Sequence, residues 1–403
     1  MKLLGGAILA LAMVFTIGVT PASASEPPHG AVFNVPRPWG TEAARYRIIR
    51  TVNRAINQTR PTAADPHPRI YISTYLLDRK PSVDALIKAR NRHVSVRVIL
   101  DHHIESRPAL RLMRVLNRDN VGAISSNPVS WGPDQSYAKK CRGACRGTGP
   151  NMHAKFYLFS HSGSATNVTM VSSSNLNRGG AVAGWNDLYV IKRRPKTFNA
   201  YAKIHAEMTD DVKAGAGKVQ VTDGPFTSRF FPMKNARKGT DPTLDDLQHI
   251  RCRNSDFGRT HVNVSMFYWA GKRGWYLASA LLDLARNGCK VSVIYGAPSK
   301  VIRLRLSRAA RHHRINLWDS RKDLNGNGTY DVRTHGKYVL VKGTYRGDRH
   351  ARVVMTGSQN WVAGSLTKGD EVTLNIHLAS AYSSYVRNWG VIRDHSRRIP
   401  SHR

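Results

Sequence analysis

The chain has 403 residues, with 62 Lys and Arg against 26 Asp and Glu, and a formal net charge of +36. A field of that sign concentrates anionic partners, although it does not distinguish nucleic acid from anionic lipid surfaces or wall polymers. Beyond the N-terminal segment, no stretch approaches the roughly 20 apolar residues of a transmembrane helix, which excludes a membrane-spanning protein.

The first 24 residues have the pattern of a secretory signal peptide. Lys2 supplies the positive start, Leu3 through Val19 is almost continuously apolar, and Ala22-Ser23-Ala24 forms an A-x-A cleavage site. We therefore expect an exported, extracellular protein. The remaining length is enough for two packed units of roughly 190 residues each.

The mature sequence repeats a strand, an amphipathic helix and a second strand. In the first copy these segments are 69–75, 85–91 and 94–101, and in the second they are 261–268, 280–287 and 291–296. The internal similarity predicts two related α/β units.

Each copy continues into a His-x-Lys pattern, His153 with Lys155 and His335 with Lys337. Side chains two residues apart on a strand share a face, so each histidine emerges beside a lysine. A single His-x-Lys is most simply a solvated strand edge, but both copies are followed at similar spacing by an asparagine and an acid. These are Asn175 and Asp187 in the first copy, and Asn360 and Glu371 in the second.

The paired pattern resembles the phospholipase D superfamily, whose signature is His-x-Lys-x4-Asp with a following Gly-Ser-x-Asn. The resemblance covers most of the mature chain, which looks like the secreted bacterial members that carry both halves in one polypeptide. It implies two α/β/α sandwich units related by a pseudo-twofold axis, with one shared active-site cleft. We place the halves at residues 25–245 and 246–403.

The resemblance also implies a phosphodiesterase mechanism without metal or cofactor. His153 would be the nucleophile that forms a phosphohistidine, and His335 the general acid and base, although the near-symmetric sequence cannot make that assignment. Asp187 and Glu371 would each hold an imidazole in the correct tautomer. The phosphate would be neutralised by two cations and two amides, those of Lys155, Lys337, Asn175 and Asn360.

The sequence departs from the family signature at three positions. Ser160 and Lys342 replace the two aspartates, and Ser172 replaces the glycine of the first Gly-Ser-x-Asn. In the family those aspartates support the site from behind, so we interpret the changes as tuning. A chain that kept the fold and lost the chemistry is the alternative.

Four cysteines suit an oxidising compartment. We predict the pairs Cys141–Cys145 and Cys252–Cys289, because each keeps its bridge inside one half. A zinc site is the competing interpretation, but Cys141 and Cys145 have no second ligand pair at a zinc-ribbon spacing. Asp101-His102-His103 could also suggest a metal, and we interpret it as a loop or pocket wall.

Three functions are compatible with these features. The first is a monomeric, secreted phospholipase D that hydrolyses head-group esters of glycerophospholipids and contacts the membrane only peripherally. The second is a secreted nuclease of the same superfamily, which the positive charge favours. The third is a non-catalytic binder of polyanions, which the altered motif positions favour.

Overall fold

The computed structural model describes residues 25–118 and 136–400. The signal-peptide prediction concerns residues 1–24 and so lies outside the described part. Within the described residues, no helix is both long and apolar enough to span a membrane.

Eleven α-helices and nineteen strands are present in the described ranges. The helices are α1 (Glu42–Arg45), α2 (Arg47–Gln58), α3 (Lys80–Asn91), α4 (Arg107–Leu116), α5 (Arg178–Ala183), α6 (Pro195–Thr209), α7 (Pro242–Gln248), α8 (Gly271–Arg286), α9 (Lys300–Arg311), α10 (Ala363–Thr367) and α11 (Ala379–Asp394), with a short 3-10 turn at Lys238–Thr240. The strands are β1 (Gly30–Phe33), β2 (Arg69–Thr74), β3 (Ser95–Leu100), β4 (Tyr137–Lys140), β5 (Phe156–Ser162), β6 (Ala165–Ser172), β7 (Gly184–Trp185), β8 (Asp187–Ile191), β9 (Val219–Asp223), β10 (Phe226–Phe231), β11 (Ile250–Arg251), β12 (His261–Met266), β13 (Lys290–Tyr295), β14 (Asn316–Asp319), β15 (Arg333–Thr334), β16 (Lys337–Tyr345), β17 (Asp348–Gly357), β18 (Glu371–Ile376) and β19 (Arg397–Arg398).

Two large mixed sheets carry the repeat. The first has the order β1-β8-β6-β5-β2-β3-β4, and the second runs β19-β14-β13-β12-β16-β17-β18-β10-β9. Strands β2 and β3 are parallel, as are β12 and β13, and in each sheet a His-x-Lys strand lies antiparallel beside this pair. The predicted order of strand, helix, strand and motif strand is therefore confirmed in both sheets. We call the part of the chain that contains the first sheet the first half, and the part that contains the second sheet the second half.

Helices cover both faces of each sheet, as predicted. Buried side chains of α2, α3 and α4 pack on the outer face of the first sheet, where Val52, Leu86 and Leu112 are inaccessible to solvent. Helices α8 and α9 cover the outer face of the second sheet in the same way. Between the sheets, α6 and α11 contribute Tyr201 and Tyr385 to a core that both halves share. This common core fixes the two motif strands relative to each other.

The segment between the halves belongs by its hydrogen bonds to the second sheet. Strand β10 is antiparallel to β18, and β9 extends the sheet beyond β10. The boundary between residues 245 and 246 remains a prediction, and these pairings favour one further upstream.

Both disulfides have the predicted pairing. Cys141 is bonded to Cys145, and Cys252 is bonded to Cys289. The first closes a loop just before His153, and the second ties the segment before β12 to the end of α8.

Candidate active site

Each His-x-Lys motif is anchored by backbone hydrogen bonds to the opposite half of the molecule. The His153 amide donates to the Asp370 carbonyl at 3.0 Å, and the His335 amide donates to the Trp185 carbonyl at 2.9 Å. Each motif begins the strand that pairs with the parallel pair of its own sheet, β5 or β16. The two motifs therefore meet at one interface between the halves, as the single shared cleft requires.

His153 is held by a carboxylate from the second half. Its Nδ1 lies 3.0 Å from each oxygen of Glu371. Glu371 is itself buried and accepts hydrogen bonds from the hydroxyls of Ser358 and Ser365. With Nδ1 bonded to an acceptor, the free ring nitrogen of His153 is Nε2.

His335 is held by an amide, and here the sequence prediction needs correction. Its Nδ1 lies 2.7 Å from Asn186 Oδ1, and no hydrogen bond joins it to Asp187 within the described residues. The Asn186 Nδ2 donates to the carbonyls of Gly180 and Gly184, so Oδ1 is the atom that faces the imidazole. Lys337 Nζ also lies 3.5 Å from His335 Nδ1, but the shorter contact is to an oxygen that can only accept, so His335 carries its proton on Nδ1 and leaves Nε2 free.

The prediction that Asp187 is the counterpart of Glu371 was wrong by one residue. The Ser173 amide donates to the Asp187 carbonyl, and in the second half the Ser358 amide donates to the Val372 carbonyl. Asp187 thus corresponds to Val372, and Asn186 corresponds to Glu371. A shift of one residue along a strand sends the side chain to the opposite face, so Asp187 cannot take the place of Glu371.

Asp187 instead links the halves below the cleft. Its Oδ1 accepts from the Ser173 hydroxyl at 2.6 Å, while Oδ2 accepts from Tyr385 at 2.8 Å and from the Thr356 hydroxyl. The carboxylate is fully buried, and it opposes the fall in the pKa of Lys337. Asp187 thus bonds to residues of both halves, and its charge offsets part of the effect of burial on Lys337.

The two lysines occupy equivalent positions and are buried. Lys155 Nζ donates to the His153 carbonyl, and Lys337 Nζ donates to the His335 carbonyl, each at 2.5 Å. Burial lowers the pKa of Lys155 well below its usual value and lowers that of Lys337 to about 7, while Glu371 opposes both shifts. The two amines share one desolvated cleft, where a bound anion would favour their protonated forms and pair with them.

Burial also lowers the pKa values of both histidines. The neighbouring lysines add to the effect at each ring, and Glu371 opposes it at His153. At His335 the main causes among the described residues are burial and neighbouring cations with no opposing carboxylate, and the pKa falls well below its ordinary value. These surroundings therefore favour neutral imidazoles, most strongly at His335.

The two predicted amides follow their motif strands at equivalent positions but are bonded differently. Asn175 Oδ1 accepts from the backbone amides of Tyr75 and Leu76 at 3.1 and 3.3 Å, which leaves Nδ2 as its available donor. Asn360 Oδ1 is buried and has no partner among the described residues. Hydrogen bonds to Oδ1 from the described residues thus fix the orientation of Asn175, and Asn360 Oδ1 receives none.

An aromatic side chain stands beside each histidine, and sequence reasoning assigned neither of them. The Tyr75 ring lies 5.3 Å from the His153 ring, and the Phe267 ring lies 4.6 Å from that of His335. Lys155 and Lys337 lie over the same two aromatic faces, at 5.4 and 5.1 Å. Both aromatics directly follow the first strand of their repeat, so the internal alignment contained the signal.

The positions that lost the family aspartates are distant from the site. Ser160 lies five residues along β5 from Lys155, about 16 Å at strand spacing, where its hydroxyl donates to Asp65. Lys342 lies at the corresponding distance along β16 and contacts the Phe257 ring. Neither residue contacts the histidines, the lysines or the asparagines of the cleft.

Asp101 holds the loop that precedes the first motif. One oxygen accepts from the Met152 amide at 2.7 Å, and the other accepts from the backbone and ring of His103. Ligand atoms of Asp101, His102 and His103 lie within 4.8 Å of one another. Both carboxylate oxygens thus accept from protein donors, and the interpretation of this segment as a loop or pocket wall stays a prediction.

Comparison with known proteins gives a family and a fold. Residues 61–211 and 257–389 match the family described as cardiolipin synthase, PLD-like domain, and these ranges make up well over half of the chain. No curated protein has a significant match to the sequence.

Two solved structures have similar folds at low sequence identity. Phosphatidylserine synthase from Haemophilus influenzae Rd KW20 is 13% identical with a TM-score of 0.60, and the match covers 93% of this chain and 88% of that one. Polyphosphate kinase from Porphyromonas gingivalis is 12% identical with a TM-score of 0.55, and the match covers 90% of this chain but only 50% of the kinase.

The repeated sheets and the family match to both halves agree with each other. The chain belongs to the phospholipase D superfamily of phosphodiester-acting enzymes, and it carries one PLD-like unit in each half.

Proposed function

We propose that this protein is an exported phospholipase D, which hydrolyses the head-group ester of glycerophospholipids through a phosphohistidine intermediate. One observation carries the proposal. Two imidazoles, each fixed through Nδ1 by the opposite half, leave Nε2 free beside two buried lysines. This arrangement provides a nucleophile, a proton donor and an anion receptor.

In the first displacement, the phosphodiester binds between Lys155 and Lys337. The His153 Nε2 attacks phosphorus, a P–N bond forms, and the P–O bond to the head group breaks. The leaving alkoxide takes a proton from the His335 Nε2. The anionic substrate raises the pKa of His335 on binding, so that Nε2 first takes up a proton from solvent and then donates it in this step.

In the second displacement, the neutral His335 removes a proton from water. The resulting oxygen nucleophile attacks phosphorus, the P–N bond breaks, and phosphatidic acid leaves with His153 restored. An alcohol in place of water would give transfer of the phosphatidyl group by the same steps.

The different partners of the histidines support this assignment of roles. Phosphorylation makes the His153 ring cationic, and Glu371 supplies a compensating charge at 3.0 Å. Asn186 orients His335 but stabilises its cation less than a carboxylate would, which makes that ring a stronger proton donor. The assignment agrees with the one implied by the family resemblance.

The choice of a lipid substrate is supported by the families that the comparisons name. The matching family is described as a cardiolipin synthase, and a structure of similar fold is a phosphatidylserine synthase. The two disulfides support export to an oxidising compartment. A nuclease is the second candidate, because the net charge of +36 also favours nucleic acid.

One assay separates these candidates. Purified protein is incubated with EDTA and either phosphatidylcholine vesicles or plasmid DNA, with the double variant His153→Ala/His335→Ala as the blank. Release of choline and phosphatidic acid without DNA cleavage supports the proposal. DNA cleavage alone would establish the nuclease, and restoration of activity by calcium or zinc would refute the metal-free mechanism.

A further inference from the structure

We infer that one exposed helical face beside the cleft is a docking surface for an anionic lipid bilayer. This docking face comprises Trp275 of α8 together with Val301, Leu304, Arg305 and Arg308 of α9. The inference rests on the proposed function and adds that the enzyme binds its lipid substrate at the surface of a bilayer.

The docking face lies at the edge of the second sheet where the candidate active site is found. Helix α8 follows β12 through the loop that contains Phe267, whose ring is 4.6 Å from His335. Helix α9 begins after Ser299, whose amide donates to the Trp269 carbonyl in the same loop. The first turns of both helices are therefore close to the mouth of the cleft.

The apolar members of this face are unusually exposed. Val301 is 60% exposed, Leu304 is 50% exposed and Trp275 is 45% exposed. Val301 and Leu304 are three residues apart and so lie on the same side of α9. Arg305 lies 3.8 Å above the Trp275 ring, which joins the two helices into one surface.

The charge around these side chains suits an anionic surface. Helix α9 contains five cations and no acidic residue: Lys300, Arg303, Arg305, Arg308 and Arg311. Cations attract anionic head groups, while an exposed Trp, Val and Leu can enter the boundary between head groups and acyl chains.

Exposed aliphatic side chains distinguish a bilayer from nucleic acid. Arginine and tryptophan can contact either a bilayer or a nucleic acid, since bases stack on aromatic rings and phosphates pair with cations. Val301 and Leu304 offer no stacking surface and no charge, so nucleic acid gains little from them. Their burial in lipid removes apolar area from water.

A helix with related features stands at the equivalent position of the first half. Helix α4 follows β3 as α9 follows β13, and each begins with a serine cap, Ser106 or Ser299. Leu110 of α4 is 40% exposed and lies beside the exposed Arg111. Both halves thus present a basic helix with an exposed leucine after the second strand of their repeat.

The test compares vesicle binding by two matched pairs of substitutions in a His153→Ala background, which prevents hydrolysis. The docking pair is Val301→Ser/Leu304→Ser. The control pair is Val212→Ser/Val391→Ser, which changes residues that are 50% and 42% exposed elsewhere. With vesicles of phosphatidylcholine and phosphatidylglycerol, we expect the docking pair to lower affinity about tenfold and the control pair to leave it unchanged. Brominated lipids should quench the fluorescence of Trp275, and Trp275→Phe should remove that part of the quenching.

Turnover of a short-chain lipid below its micelle concentration separates docking from chemistry. With His153 intact, the docking pair should hydrolyse this soluble substrate as the wild type does. Equal vesicle affinity for the docking and control pairs would overturn the inference. So would a docking pair that lost as much affinity for DNA as for vesicles. If the wild type hydrolyses no lipid but the docking pair alone weakens vesicle binding, the proposed function fails and the docking surface stands.

Discussion

The two motif histidines differ in the group that each contacts through Nδ1. His153 has the carboxylate of Glu371, whereas His335 has the amide of Asn186. The two copies of the pattern predicted both histidines and both lysines, whereas Glu371 was predicted from its spacing after the second motif. Sequence reasoning missed Asn186 because an acid stands one residue later, and only the strand hydrogen bonds show which of the two faces the cleft.

Asn186→Asp should raise the pKa of His335. A carboxylate 2.7 Å from Nδ1 favours the cationic ring, typically by about 1–3 pH units. If His335 is the general acid, the alkaline limb of the pH profile of kcat moves to higher pH by about one unit or more. Glu371→Gln is the matched change at the other histidine, and we expect it to lower kcat without that alkaline shift. An unchanged alkaline limb in Asn186→Asp would contradict the role given to His335.

The buried Lys337 should make anion binding depend on pH. Its pKa of about 7 means that, without a bound anion, Lys337 loses its charge as pH rises through neutrality. Affinity for a soluble monoanion such as diethyl phosphate should therefore fall above pH 7, and binding should take up protons. Calorimetry in buffers of different ionisation enthalpy measures that uptake, and Lys337→Met should reduce it.

The same pKa predicts the sign of a stability effect. The folded pKa of Lys337 is lower than that of the unfolded chain, so the unfolded state binds more protons between about pH 7 and 10.5. This residue's contribution to stability should rise with pH across that window. We expect the denaturation midpoint of Lys337→Met to rise less with pH than that of the wild type, and this result would confirm the sign.

At the scale of elements, a loop of the first half is packed tightly against the second half beside the site. The Cys145 and Arg146 amides donate to the Asp370 carboxylate at 2.6 and 3.0 Å, and Asp370 precedes Glu371. The repeat predicted the strands and helices, since their periodicity is local. It could not predict this contact, because the partners are 225 and 224 residues apart.

Gly147→Ala should disturb this contact. A Cβ at this position would lie 1.8 Å from the Lys368 carbonyl oxygen, so the loop or its partner must move. We expect a loss of about 1–3 kcal/mol in the free energy of unfolding and a lower kcat, because Glu371 follows three residues after Lys368. Gly239→Ala is the control, since its Cβ would meet nothing within 4 Å. Equal melting temperatures and activities for the two variants would argue against a tightly fitted loop.

At the scale of the whole molecule, each half supplies the residue that contacts Nδ1 of the other half's histidine. The sequence predicted the shared cleft through its repeat and its family resemblance. It did not predict that β9 and β10 join the second sheet, because short strands of a connecting segment carry no information about which sheet they extend.

Neither half should be active alone. A fragment of residues 25–245 contains His153 but lacks Glu371, His335 and Lys337, so we expect no measurable turnover. Co-expression of residues 25–212 with 213–403, which keeps β9 and β10 with their sheet, should restore activity. Substantial turnover by the first fragment would refute the shared site.

Trapping the covalent intermediate tests the central claim most directly. His335→Ala is mixed with a phosphodiester whose leaving group needs no acid, such as a p-nitrophenyl ester, and the protein is digested and analysed by mass spectrometry. We predict a phosphoryl adduct on the peptide that contains His153, and no adduct in His153→Ala/His335→Ala. The account would be contradicted if the wild type hydrolysed the ester and no adduct formed on either histidine. An adduct in the double variant would also contradict it.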